Sequence, residues 1–149
     1  MAMLSNPIEE AERYMQNARK VLSEKAEKEG NFYLDKKYVK AAGNYAWNGV
    51  LVALDAVTDV RKNLKKGQRL DFKDYQNALL KKDRKMNMPL LAAYDSLHKA
   101  LGYDGNNNYI IVQESLKQGQ SIIDWAAKQY STQFDVLSDI TTKTEQLEI

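Results

Sequence analysis

The sequence predicts an all-α fold: an up-and-down four-helix bundle with an additional short helix and a C-terminal extension. Three observations carry this expectation. Proline is confined to Pro7 and Pro89, both where a helix can start, whereas sandwiches and barrels need frequent turn residues. The stretch from Lys36 to Lys66 carries Ala42, Ala46, Gly49, Ala53 and Ala56 at spacings of 4, 3, 4 and 3. That spacing places them on one helical face, where a neighbouring backbone can approach closely. Trp47, Val50, Leu51, Leu54 and Val57 fill the adjoining face, leaving a narrow polar stripe of Lys40, Asn44, Asn48, Asp55 and Asp59. A helix apolar around most of its circumference is buried on several sides, so this one is the expected central pillar.

The first helix should begin at Asn6, which can cap the free amides, with Pro7 at the first helical position and Glu9 placed to close a capping box. Ile8, Ala11, Met15, Ala18 and Leu22 follow as an apolar seam, and Gly30 is the expected stop. The loop Asn31-Phe32-Tyr33-Leu34 is apolar enough to fold back onto the bundle. Asp35 should cap the pillar helix and Gly67 should end it. A shorter third helix starts after Asp71 with Phe72, Tyr75, Ala78 and Leu79 on one side. The fourth begins near Pro89, carries Leu90, Tyr94, Leu97 and Leu101, and ends at Gly102. Tyr103 to Asn108 reads as a loop. The fifth helix runs from about Tyr109 to Tyr130, with Val112, Leu116, Gly119, Ile123, Ala126 and Tyr130 in one stripe. Gly119 costs about 1 kcal/mol against alanine, and close packing against the small-residue face of the pillar is its expected compensation. After Ser131, Thr, Ser and Asp weaken the helix signal, yet Phe134, Leu137 and Ile140 keep helical spacing. The expected organisation is one bundle domain over residues 1–130 and a C-terminal tail or short helix over 131–149.

At 149 residues, with 44% apolar and 28% charged side chains, the chain suits one soluble globular domain. It has no cysteine, which excludes disulfides and thiolate metal sites. No charged-then-apolar leader and no apolar run near 18 residues occurs, so a cytoplasmic location is the expectation. The net charge of +2 is unevenly spread. Residues 61–85 hold 10 basic and 3 acidic side chains, against 8 and 9 in residues 1–60 and 4 and 8 in residues 86–149.

That basic segment is the candidate site, with Arg61, Lys62, Lys65, Lys66 and Arg69 expected at the end of the second helix and Lys81, Lys82, Arg84 and Lys85 at the end of the third. If the two ends lie side by side, they form one positive surface for an acidic protein or for phosphates. Cations also suit a helix C-terminus for its own sake, and a pI near 8.6 is below that of a dedicated nucleic-acid domain. His98 is the only histidine and has no sequence-evident catalytic partner. Asp55 and Asp59, four apart, could share a helix face, but the Glu-x-x-His pairs of di-metal bundles are missing. Phosphate-loop, dinucleotide, nucleophile-elbow and zinc spacings are also missing. No catalytic residue, metal or cofactor is therefore expected.

The residues from Ala11-Glu12-Arg13-Tyr14, through Lys36-Lys37-Tyr38-Val39-Lys40-Ala41-Ala42-Gly43, to Val50-Leu51-Val52-Ala53-Leu54 resemble the first two helices of HEPN-type bundles. Those are small all-α units that often act with nucleotidyltransferases or as RNA-cleaving toxins. The whole chain is also similar to short, all-helical, uncharacterised proteins of Bacteroidetes bacteria. Active HEPN ribonucleases carry an Arg and a His with four to six residues between them; upstream of His98 the corresponding positions hold Ala93, Ala92 and Leu91. The resemblance implies the bundle but transfers no nuclease site. The expected role is a non-enzymatic interaction or scaffold protein, acting as a homodimer or on a protein partner. A HEPN-like module that binds nucleotide or nucleic acid through residues 61–85 is the alternative.

Overall fold

The computed structural model describes residues 6–62 and 64–147, with side chains through residue 133. The elements are α1 (Pro7–Glu24), a hairpin of β1 (Lys28–Glu29) and β2 (Phe32–Tyr33), α2 (Lys36–Val57), α3 (Phe72–Lys82), a 3-10 turn (Arg84–Met86), α4 (Asn87–Ala93) running into a π-helical segment (Tyr94–Tyr103), and α5 (Tyr109–Leu147). The fold is all-α. α2 packs against α1, α5 and the π segment, which makes it the central pillar.

The predicted seams face the core, with Tyr94, Tyr130, Phe72, Leu51 and Ala56 half-buried at their edges. Ile8, Ala11, Met15, Ala18 and Leu22 line the core side of α1, and Leu90, Leu97 and Leu101 that of α4 and its π continuation. Val112, Leu116, Ile123 and Ala126 do so on α5. Asn6 Oδ1 accepts the Ile8 N–H at 2.8 Å and Asp35 Oδ1 that of Lys37 at 2.9 Å. The reciprocal capping box suggested at Glu9 is found instead on α3, between Asp71 and Asp74. A Cβ on Gly49 would lie 2.9 Å from the Ala11 carbonyl oxygen, so the small-residue face receives the backbone of α1. Gly119 does not meet that face: its nearest neighbours are Leu97, Met15 and Val50. Gly43 serves the π segment, where Gly102 N and Leu97 O occupy the space a Cβ would need.

Two helices end earlier than the sequence suggests. α1 stops at Glu24, because Glu27 turns the chain with a left-handed φ of 43°. Gly30, at φ 60°, occupies the first of two turn positions in the hairpin, where glycine suits that turn class. α2 stops at Val57 rather than Gly67. Thr58 is extended, and its hydroxyl donates to the Leu54 carbonyl at 2.7 Å, replacing the next helical turn. Asp59 therefore lies beyond the helix and shares no helical face with Asp55.

The apolar loop folds back in part. Tyr33 is buried, whereas Phe32 and Leu34 are exposed. The hairpin joins the loop before α5: Tyr33 N donates to Asn107 O at 2.9 Å, Asn107 Nδ2 to Tyr33 O at 2.8 Å, and Tyr109 N to Asn31 O at 2.7 Å. The backbone of residues 131–147 continues α5 as helix. The side chains of Phe134, Leu137 and Ile140 lie outside the described residues. Among the described residues no helix is long and apolar enough to cross a membrane.

Candidate functional site

The basic segment is a corner rather than two helix ends. Arg61, Lys62, Lys65, Lys66 and Arg69 sit on the connection between α2 and α3, and α2 has no basic residue in its last turn. Local turns hold this connection: Lys62 N donates to Asp59 O at 2.9 Å, and Gln68 N to Lys65 O at 2.9 Å. The Gln68 side-chain oxygen in turn accepts the Lys65 N–H at 3.2 Å. Lys81 and Lys82 do close α3, as predicted, and Arg84 and Lys85 form the 3-10 turn beyond it.

The end of α3 reaches the α2–α3 connection through Lys81 and Lys82. Lys82 Nζ donates to the Val57 carbonyl at 2.6 Å, bringing the end of α3 to the end of α2. Lys81 lines a cleft of about 220 Å3 whose apolar part is Val60, Leu64, Leu70 and Ala78, with Asp59 and Asp74 among its polar residues. Lys81 also borders a neighbouring hollow with Arg84. Lys62, Lys65, Lys66, Arg69, Arg84 and Lys85 are exposed and make no ion pair among the described residues.

Arg61 is the exception. Its guanidinium pairs with Asp55 Oδ2 at 3.2 Å, while Asp55 Oδ1 is buried without a hydrogen-bond partner. Asp55 is thus half-buried rather than part of a solvated stripe. Beside it lies the buried phenol of Tyr75, pushed up to about 12 by desolvation first, then by the neighbouring Asp55 charge. The periodicity placed Tyr75 in the core but gave no sign of its contact with Asp55, which depends on how α3 returns over α2.

His98 is exposed, with its ring stacked on Tyr94 at 5.2 Å and 5.9 Å from Trp47. It makes no hydrogen bond among the described residues, so no base or nucleophile pairing is assembled there. Trp125, off the main stripe of α5, donates its indole N–H to Asp83 at 3.2 Å and so fixes the turn that carries Arg84 and Lys85. Among the described residues no group of three or more His, Asp or Glu is gathered that could hold a metal ion.

Comparison with known proteins adds a family and a fold. The family model described as a domain of unknown function, DUF5618, matches residues 6–128. The chain is similar to a solved protein of unknown function from Dyadobacter fermentans, with 35% identity and a TM-score of 0.70 over 83% of this chain and 94% of that one. A solved protein from Sulfolobus solfataricus shares the fold at 16% identity, with a TM-score of 0.59 over 85% and 98%. No functionally curated protein is similar enough to count as a relative.

Proposed function

The chain belongs to the DUF5618 family of unknown function, and from that premise we infer that it is a non-enzymatic interaction module whose basic corner engages an acidic segment of a protein partner. The observation that carries this reading is the Lys81 cleft, in which Val60, Leu64, Leu70 and Ala78 supply apolar surface against the same α2–α3 connection that carries the exposed Lys62, Lys65, Lys66 and Arg69. Apolar surface close to a cation-rich connection suits a peptide with alternating acidic and apolar side chains. Cations steer its approach and apolar burial holds it.

A second reading, a HEPN-like module for nucleotide or nucleic acid, draws on the same 10 basic side chains in residues 61–85. Two features favour the protein partner. The cleft offers apolar surface from Val60, Leu64, Leu70 and Ala78, which a peptide's apolar side chains can use and a phosphate backbone cannot. The aromatic residues of this segment, Phe72 and Tyr75, are half-buried and buried, so neither is free to stack on a base. The experiment is fluorescence anisotropy with two labelled probes, a peptide of alternating Glu and Leu and a single-stranded oligonucleotide. The wild-type chain is compared with a Lys62→Gln, Lys65→Gln, Lys66→Gln, Lys81→Gln variant. Peptide binding that the variant loses supports the proposal; peptide binding that it retains, or no peptide binding at low salt, overturns it.

A further inference from the structure

We propose that the pocket between the end of α1, the hairpin and the start of α5 binds a small organic monoanion, a carboxylate carried on a flat apolar body. It is separate from the basic corner and does not rest on the reading of that corner. Its volume is about 430 Å3, within the range of about 300–1,000 Å3 for small-molecule sites.

The walls are apolar and aromatic. Leu22 of α1 and Leu116 of α5 contribute aliphatic surface, while Tyr33 and Tyr109 stand at 49° with ring centroids 5.8 Å apart. At that spacing the two rings touch and form one continuous aromatic wall, along which a flat apolar group can lie. The polar lining consists chiefly of donors and cations. Tyr33 is only 5% exposed. Its hydroxyl oxygen accepts Gln113 Nε2 at 3.1 Å, which leaves the phenolic proton unspent, with no acceptor among the described residues. Burial raises this phenol, so the donor remains protonated in neutral solution. Lys28 Nζ sits 3.9 Å from the Tyr109 ring centroid, and Arg19 makes no ion pair among the described residues. The Ser23 hydroxyl is already committed to the Lys20 carbonyl.

The charge balance selects the ligand class. Arg19 and Lys28 carry two positive charges and Glu27 one negative, so one anionic charge neutralises the lining. A dianion would exceed it, and a cation would meet two like charges. The wall is also locked in place. The hairpin is hydrogen-bonded to the Asn107 loop, and Glu27 holds an uncommon left-handed conformation that aims the chain toward it.

The test uses the full chain, 15N-labelled, titrated with 2-naphthoate and followed by amide chemical shifts. Saturable shifts should localise to Lys28, Tyr33 and Gln113 and spare residues 61–85. Tyr33→Phe should weaken binding about tenfold, the loss expected for one hydrogen bond to a charged group. Arg19→Gln, at an exposed position, supplies a second variant should Tyr33→Phe disturb folding. The matched probes 2-naphthylmethylamine and 2-naphthyl phosphate should both bind more weakly than the carboxylate. Absence of localised saturable shifts, an amine that binds as well as 2-naphthoate, a phosphate that binds more tightly, or an Arg19→Gln chain that binds unchanged would each overturn the proposal.

Discussion

Lys82 Nζ donates to the carbonyl of Val57 at 2.6 Å, so a side chain 25 residues further along the sequence caps the end of α2. α2 supplies no basic residue of its own there, and the negative end of a helix dipole favours a cation. Lys82→Met keeps most of the apolar stem and removes the charge and the hydrogen bond. It should destabilise the fold by about 1 kcal/mol, since Lys82 is exposed and solvent takes up part of the loss. Lys62→Gln, which caps nothing among the described residues, should stay within about 0.5 kcal/mol of wild type. Urea unfolding measures both, and equal midpoints for the two variants would remove the structural role of Lys82.

Gly43 and Gly119 should respond differently to alanine. A Cβ on Gly43 would sit 2.6 Å from Gly102 N and 2.7 Å from Leu97 O, backbone atoms that cannot move without shifting the π segment. Gly43→Ala should therefore cost about 1–3 kcal/mol through overpacking, despite a helix-propensity gain of about 1 kcal/mol. On Gly119 the shortest approach, 2.6 Å, is to the terminal methyl Leu97 Cδ1, which can rotate away. Gly119→Ala should be within about 1 kcal/mol of neutral. Gly49→Leu, directed at the Ala11 carbonyl, should cost at least about 1–3 kcal/mol. Thermal denaturation of the three variants should rank Gly119→Ala as the mildest.

The contrast between these glycines reflects what a one-dimensional pattern can carry. The seam from Ile8 to Leu22 and the small residues from Ala42 to Ala53 were legible because helical periodicity is local. The helix ends were not. Gly30 and Gly67 read as stops, yet both serve turns at positive φ, while α1 ends before the left-handed Glu27 and α2 at the extended Thr58, neither of which carries a strong stop signal. The π segment depends on the fit of Gly43 against Gly102, which periodicity cannot express. At the candidate site the charges themselves were evident. The pairing of Arg61 with Asp55, the burial of Tyr75 beside them and the apolar side of the Lys81 cleft all require the return of α3 over the α2 end.

Tyr75 gives a pH dependence with a definite sign. Its phenol rises from the usual value of 10.0 to about 12 in the folded chain, through burial and then the neighbouring Asp55 charge. The folded state thus holds the proton more tightly than the unfolded state. The associated stability is fully present below pH about 10 and is lost as pH rises toward 12. Tyr33 is shifted in the same direction. Urea midpoints between pH 9 and 11.5 should fall more steeply for wild type than for Tyr75→Phe, which has no proton to lose at that site. Parallel slopes would show that Tyr75 titrates alike in both states.

The last prediction separates the two anionic partners by their dependence on salt and on Leu64. A nucleic acid held by six phosphate contacts should lose about a thousandfold in affinity between 50 and 200 mM salt, because each neutralised phosphate releases counterion. A peptide of alternating Glu and Leu should lose far less, since salt screens its charges but leaves its apolar contacts in place. Leu64 lies in the Lys81 cleft and is half-buried. Leu64→Ser keeps every cation of the corner while removing apolar surface, so it should weaken the peptide about tenfold, a loss of about 1.4 kcal/mol. The same change should leave oligonucleotide affinity within about twofold, because phosphates make no use of that surface. Anisotropy titrations of both probes, at 50 and 200 mM salt, with wild type and Leu64→Ser, decide the matter. A peptide indifferent to Leu64, together with an oligonucleotide that binds with a steep salt slope, would move the assignment from an acidic protein segment to nucleic acid.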